Sequence, residues 1–273
     1  MEKTVLLTGC SSGVGRATAS AFLEDGWTVF ATARDPADIE ALGEAGCRTL
    51  SLDVTDDDSI DAAVETVFDA VETLDCLVNN AGYGQFGPIE DVPVEEVEAQ
   101  FDVNVYGPHR LLRAVLPKMR EQESGTIINV SSVAGQVAAP GMGTYAASKF
   151  ALEAMSDALR TELAPLGVDV ALVEPGPVAT NFADRADDEL AQLERTDDYD
   201  TVYTFYEDTS LFGGQSPVAV SPDMVAETIL EAGVSPNPNA RYPVGPIAST
   251  LLKARFLPDS ARDWLFTQLL RLL

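Results

Sequence analysis

The sequence predicts an α/β fold: a doubly wound, Rossmann-like parallel sheet in a single domain over residues 1–273. Three observations predict it. Short apolar runs alternate along the chain with helical patterns, as expected for parallel strands covered on both faces. Hydrophobic residues make up 46% of the 273, which suits a large buried core. A glycine-rich turn follows the first apolar run and opens a helical pattern, the place where such a sheet binds its ligand.

Val5-Leu6-Leu7 is the first expected strand, and an Ala-rich helical stretch runs on towards Gly26. Residues 27–32, 48–52, Cys76-Leu77-Val78, 126–130 and 168–173 read as five more strands. The longest helical patterns cover about 94–121 and 143–166. From 181 to 221 the pattern breaks down into an acidic stretch bearing Phe182, Tyr199, Tyr203, Phe205, Tyr206 and Phe212. A long irregular insert is usually functional. Its aromatics favour a lid over a substrate, against the alternative of an acidic surface loop with a few buried anchors.

Residues 246–273 read as a C-terminal helical extension. Pro258-Asp259 interrupts it, and Asp259 or Ser260 is placed to cap a final helix. Trp264, Leu265, Leu269 and Leu272 form an apolar stripe along that helix. Lys253, Arg255, Arg262 and Arg271 stand there against Asp259 and Asp263. The expectation is that this stripe packs at a subunit contact, its basic residues meeting an acidic neighbour; packing on its own domain is the alternative.

The formal net charge is −27, from 44 acidic and 17 basic residues. Such a surface repels nucleic acid and anionic membranes, so neither is an expected partner. The high hydrophobic content excludes a disordered chain. The composition is similar to that of proteins from salt-loving microbes, where salt screens self-repulsion, a merely acidic mesophilic protein being the alternative. Cys10, Cys47 and Cys76 are scattered, giving neither a disulfide framework nor a metal site. No apolar run approaches a membrane span and no signal peptide fits the N-terminus, so the expected location is the cytoplasm.

The turn reads Thr8-Gly9-Cys10-Ser11-Ser12-Gly13-Val14-Gly15. Gly9 permits a tight turn, Gly13 lets backbone approach a pyrophosphate, and Gly15 allows close helix–strand packing, with the helix N-terminus facing the anion. The spacing G-x-x-x-G-x-G resembles that of the short-chain dehydrogenase/reductase family. Further motifs follow in that family's order. Asn79-Asn80-Ala81-Gly82 resembles its NNAG motif, and Asn104 lies in the helix where the family places a catalytic Asn. Ser132 ends the fifth strand. Tyr145-Ala146-Ala147-Ser148-Lys149 matches Y-x-x-x-K. Pro175-Gly176-Pro177-Val178-Ala179-Thr180 resembles the segment that lies against the nicotinamide, and Asp53-Val54 resembles the pair that brackets the adenine. The match covers about residues 3–245.

The second strand ends Ala31-Thr32-Ala33-Arg34. Ala33 stands where NAD-type relatives carry Asp, and Arg34 is able to fork onto a 2′-phosphate, to which Ser11 and Ser12 add hydroxyl donors. NADP(H) is therefore expected over NAD(H), although Asp35 is close enough to tether Arg34 or to approach a ribose.

Tyr145 and Lys149 are four residues apart on a helical pattern and share a face. A phenol titrates near 10, and a nearby ammonium lowers that value. Ser132 is placed to bond the substrate oxygen. The expected chemistry moves a hydride between NADP(H) and an alcohol or carbonyl, with Tyr145 as acid/base. The resemblance implies that Lys149 also holds the ribose hydroxyls. Pro108 lacks the N–H that would bond the Asn104 carbonyl in a regular helix. A kink there leaves that carbonyl for a water, which the family uses in a proton relay. His109 lies five residues past Asn104, on a different face, and reads as a surface residue. The resemblance also implies a homodimer or homotetramer. Two other functions stand beside this one: a catalytically silent NADP(H)-sensing module, whose signature is loss of the Tyr or Lys, and a sugar-nucleotide epimerase, whose glycine spacing differs. The aromatic lid points to a bulky apolar substrate.

Overall fold

The computed structural model describes residues 3–207, 218–246 and 248–271. Its strands are β1 (Thr4–Leu7), β2 (Thr28–Ala33), β3 (Arg48–Ser51), β4 (Cys76–Asn79), β5 (Gly125–Val130), β6 (Val168–Pro175) and β7 (Arg241–Val244). They form one parallel sheet in the order β3-β2-β1-β4-β5-β6-β7. The order reverses between β1 and β4, which makes the crevice above their carboxyl ends the ligand site of such a sheet.

Successive residues of a strand point to opposite faces, and here both faces are covered. Val5, Leu7, Val29, Val78, Ile128 and Val173 pack towards α1 (Gly13–Glu24) and α9 (Pro222–Val234), through Phe22 and Ile229. Leu6, Phe30, Leu77, Ile127 and Val170 pack on the other face against α3 (Asp57–Ala70) and α5 (Gly107–Gln122), through Val64, Val67, Leu111 and Val115. That is why the strands read as continuous apolar runs. A short α2 (Glu40–Ala45) adds Leu42 to the first face.

Three expectations need correction. A seventh strand, β7, escaped the sequence reading: it has four residues and includes an Arg and a Pro, which an edge position tolerates. The pattern over 94–121 is not one kinked helix but α4 (Val94–Phe101), a π-helical turn Asp102–Tyr106, and α5. The Gly107 N–H donates to the Asp102 carbonyl, five residues back. Pro108 falls in the first turn of α5, where a missing N–H costs little.

The insert is helical rather than irregular, holding α7 (Phe182–Ala191) and α8 (Asp200–Glu207); Phe212 lies outside the described residues. Its acidic surface masked the 3.6-residue periodicity. The tail forms α10 (Ala248–Lys253) and α11 (Asp259–Arg271). Two residues of its stripe are exposed on this chain, Trp264 at 64% and Leu265 at 50%, which counts against the alternative of packing on its own domain. The side chain of Leu269 and all of Leu272 lie outside the described part, and it is Leu270 that packs on the lid. The remaining long helix, α6 (Gly143–Leu163), ends in a 3-10 turn Ala164–Leu166 and carries the active-site motif.

Candidate active site

The glycine turn is built as its spacing demands. Gly9 and Gly13 take positive φ values of 72° and 51°, open to glycine at no steric cost. A Cβ on Gly15 would lie 2.1 Å from the Gly9 carbonyl oxygen, so only glycine lets α1 sit this close to the strand. Val14 follows inside the first turn of α1. In a chain this acidic, that first turn carries no acidic residue, and the Ser12 hydroxyl makes no capping bond. Backbone N–H groups at a helix start, undisputed by carboxylates, are an anion site.

The other cofactor segments meet this turn. The Thr8 hydroxyl accepts from the backbone N–H of Asn80 and of Ala81, each at 3.0 Å, and the Asn80 amide donates back to the Thr8 and Gly9 carbonyls at 2.9 and 3.1 Å. A Cβ on Gly13 would touch Thr180 Cγ2 at 2.9 Å, so the loop from Pro175 through Gly176 and Val178 to Thr180 faces the glycine turn across the crevice. That loop is held by Gly176 N–H to the Val244 carbonyl (3.0 Å) and by a bridge from Val178 to Val220. Asp53 is fixed by Thr55, whose N–H and hydroxyl donate to it at 2.9 and 2.7 Å. Burial raises its pKa, but the Thr55 bonds and the charges of Arg34 and Arg110 outweigh it and hold the carboxyl below its ordinary value. Val54 beside it is buried.

Asn104 sits inside the π turn, buried. Its carboxamide accepts from the Tyr83 N–H (3.1 Å) and donates to the Tyr83 carbonyl (2.9 Å) and the Ser148 hydroxyl (3.1 Å). It thus bolts the segment after Gly82 to α6. A Cβ on Gly82 would meet Asn104 Oδ1 at 2.9 Å and Lys149 Nζ at 3.7 Å.

Ser132 lies just past β5 and caps a 3-10 turn, accepting from the Ala134 N–H at 3.1 Å. Its hydroxyl also bonds Tyr145. Tyr145 and Lys149 are buried in α6. The Lys149 ammonium donates to the Val130 carbonyl at 2.9 Å and lies 5.9 Å from the Tyr145 ring centre. Burial pushes the phenol up to about 12, against the Ser132 bond that lowers it. This corrects the expectation that Lys149 depresses it: the ammonium is aimed at a carbonyl, not at the phenol oxygen, and desolvation dominates. Lys149 itself is brought down to about 8 by burial, with Glu153 opposing the shift.

An aromatic wall completes the site. Phe86 packs on Tyr145 (5.7 Å), Phe182 (6.4 Å) and Tyr206 (5.5 Å), and Phe182 on Tyr145 (5.7 Å), as ring-centre distances. Met142 joins the same apolar group. Among the described residues, only Phe182 and Tyr206 of the lid aromatics reach it. Tyr199 and Tyr203 instead moor the lid, donating to Glu90 and Asp91 at 2.6 Å each, and Phe205 is buried behind them. Tyr206 also donates to the Pro140 carbonyl at 2.7 Å.

Residues 3–191 match the family model of the short chain dehydrogenases. The chain belongs to the short-chain dehydrogenase/reductase family. It is an oxidoreductase of that family, and its site takes a nicotinamide dinucleotide. It is 35% identical over 265 residues to the uncharacterized oxidoreductase YbbO of Escherichia coli, covering 96% of this chain and 93% of that one. It is 35% identical to a 3-ketodihydrosphingosine reductase of Bacteroides thetaiotaomicron, covering 95% of each. A short-chain dehydrogenase from Streptomyces avermitilis superposes with a TM-score of 0.83 at 35% identity, over 97% of this chain and 95% of that one. A metagenomic short-chain oxidoreductase in complex with NADP gives 0.69 at 29% identity, over 89% and 96%. A reductase of the family from Burkholderia phymatum in complex with NAD gives 0.78 at 25%, over 92% of each.

Within this family frame, two features near the adenosine end were not resolved by sequence reasoning. Asp35 is occupied: its carboxylate accepts from the Ala37 N–H at 2.9 Å and caps the 3-10 helix Pro36–Ile39, while Arg34 is exposed and its charge acts on Asp53. Arg16, one residue past the last motif glycine, was overlooked. Its guanidinium donates to the Ser11 carbonyl and, at 2.9 Å, to the Asp38 carbonyl, tying the glycine turn to the loop after β2. The scarcity of basic residues was the available signal. Phe86 and Met142 were also missed, though they lie four residues after Gly82 and three before Tyr145. His109 is exposed, away from the site. The three cysteines are free and buried, with burial raising the Cys10 thiol to about 12.

Proposed function

We propose that this oxidoreductase is an NADP(H)-preferring alcohol dehydrogenase/ketoreductase acting on a bulky, apolar alcohol or carbonyl compound. The observation that carries it is the meeting of Ser132, Tyr145 and Lys149 beneath an apolar wall of Phe86, Met142, Phe182 and Tyr206. The cofactor, when bound, supplies or accepts the hydride at the substrate carbon. Gly9, Gly13, Val14 and Gly15 receive its pyrophosphate, Ser11 and Ser12 add hydroxyl donors for a 2′-phosphate, Asp53 and Val54 hold its adenine, and Asn80, Ala81, Gly82, Pro175, Gly176, Val178 and Thr180 line its nicotinamide half. Lys149 holds ribose hydroxyls.

In the reductive direction Ser132 donates to the substrate oxygen and Tyr145 gives it a proton. A phenol held near 12 is fully protonated at neutral pH and fit for that donation. Asn104 acts through the turn it fixes. The exposed Arg34, with Asp35 tied off as a cap, supports a 2′-phosphate and so NADP(H). The bulk and apolarity of the wall agree in kind with the relative named for a long-chain amino ketone. The exposed Phe256, Trp264 and Leu265 among the tail's basic residues support a homodimer or homotetramer with this segment at the contact. The acidic surface supports a salt-rich cytoplasm as its setting.

The test is NADPH oxidation over a panel of ketones of increasing apolar bulk. Rising kcat/KM with bulk is expected. No turnover of any carbonyl, with NADPH still bound, would leave a binding module instead.

A further inference from the structure

One turn beyond Lys149 on α6 lies Glu153, 5% exposed, and beside it on β6 lies Glu174, fully buried, immediately before Pro175 and Gly176. Both meet the same guanidinium. Arg241 of β7 places Nη2 2.9 Å from Glu153 Oε2 and Nε 3.3 Å from Glu174 Oε1, and the same Nη2 lies 2.8 Å from Asp157 Oδ2. Gln136 donates to Glu174 Oε1 and accepts from Arg255, in the turn after α10, at 2.5 Å. The charged groups facing the pair are therefore Lys149, Asp157 and Arg160 on α6, Arg241 on β7, and Arg255 through Gln136; Arg160 is itself paired with Asp157 at 2.7 Å.

Among the described residues, Glu174 Oε2 is buried with no hydrogen-bond partner, and Glu153, whose Oε1 is buried as well, has the buried Ser131 hydroxyl as a donor. A buried carboxylate oxygen lacking a donor is costly, and a proton held between Glu174 and Glu153 supplies the one that Glu174 lacks.

We propose that Glu153 and Glu174 share one proton near neutral pH, and that the single negative charge left on the pair is a positioning element that keeps the Lys149 ammonium charged. This rests on the role given to Lys149 above. Three carboxylates converge on one guanidinium, so removing one negative charge relieves the excess. The charge that remains lies one helical turn from an ammonium whose other contact is the neutral Val130 carbonyl. The titration directions agree: burial and the Glu153 charge push Glu174 up to about 7, and burial draws Lys149 down while Glu153 holds it up. Glu153 is thus a positioning residue acting through Lys149, and Glu174 tunes it.

The chain has only four lysines, Lys3, Lys118, Lys149 and Lys253, so the Lys149 side chain can be titrated directly by NMR in the full-length protein without turnover. Infrared spectra at neutral pH should show a protonated carboxylic acid band in the parent that is lost in Glu174→Gln, whose amide replaces the shared proton. Glu153→Gln moves the remaining charge off α6 onto Glu174 of β6, and should lower the Lys149 titration, which Glu153 holds up, by about 1 unit or more. Glu174→Gln leaves the charge on Glu153 and should leave that titration nearly in place. A parent without the carboxylic acid band, or equal Lys149 titrations in the two variants, overturns the proposal. If Glu153→Gln does not fold, Glu153→Asp, which keeps the charge but withdraws it, must still move the Lys149 titration downwards; no movement overturns it equally. Failure of the ketoreductase reading is separate, since it appears as absent turnover in the parent and leaves these readouts untouched.

Discussion

Replacing Lys149 with Met should abolish turnover while leaving the protein about as stable as before at neutral pH. Burial brings the Lys149 ammonium from 10.5 to about 8, and at 1.36 kcal/mol per unit this means that burying the charge costs about 3 kcal/mol. Met keeps the length and apolar bulk and removes that cost. Against it stands the lost bond to the Val130 carbonyl, 2.9 Å in the parent, whose orphaning costs about 1–3 kcal/mol. The two terms nearly cancel, so urea unfolding at about pH 7 should differ by no more than about 2 kcal/mol between parent and variant.

The pH dependence separates this from coincidence. Because the folded pKa lies below the unfolded one, both states are protonated below about pH 8 and the cost is constant. Between about pH 8 and 10.5 the folded amine is neutral while the unfolded one still binds its proton, so stability rises with pH by up to about 3 kcal/mol. The variant lacks this rise. Unfolding free energies of both proteins across that window, at constant molar KCl, check it. Parallel pH curves, or a variant destabilised by well over about 4 kcal/mol at neutral pH, would refute the reasoning.

Arg34→Asp should shift the ratio of kcat/KM for NADPH over NADH downwards by about 10- to 150-fold, the equivalent of one charge-assisted hydrogen bond; an unchanged ratio places the 2′-phosphate elsewhere. With a net charge of −27, the melting temperature should climb from low to molar KCl as like-charge repulsion is screened, and a flat or falling curve contradicts the salt-adapted reading. Deleting residues 258–273 should lower the molar mass seen by light scattering while NADPH binding survives; a truncated protein of native mass and stability makes this segment dispensable.

Six of the seven strands were legible because a sheet covered on both faces demands uninterrupted apolar runs, and Val5-Leu6-Leu7 or Cys76-Leu77-Val78 can hardly be anything else. The strand β7 was not, since Arg241 and Pro243 suit an edge and give no alternation. Pro108 marked the irregular helix, but proline says only that an α-type bond is missing, not that a π turn takes its place. The site's spacing was legible because Tyr145 and Lys149 share one helix face, and the glycine turn because Gly15 has no room for a side chain. Their electrostatics were not. The burial that raises the phenol, and the meeting of Glu153 with Glu174 and Arg241 across 88 residues of chain, belong to tertiary packing alone. The lid helices were hidden for another reason: their exposed faces are so acidic that the buried positions, Ala186, Leu190, Tyr203 and Phe205, did not stand out.

The most direct measurement is single-turnover reduction of a reactive apolar ketone by Tyr145→Phe with saturating NADPH. The substitution keeps the ring against Phe86 and Phe182 and removes only the hydroxyl, with its proton and its bond to Ser132. The expected result is NADPH affinity within a few-fold of the parent and a hydride-transfer rate lower by about 10²–10⁴-fold, the range for loss of a positioned proton donor. A rate close to the parent's, with affinity equally unchanged, would show that Tyr145 does not deliver the proton and that the chemistry assigned to this site is wrong.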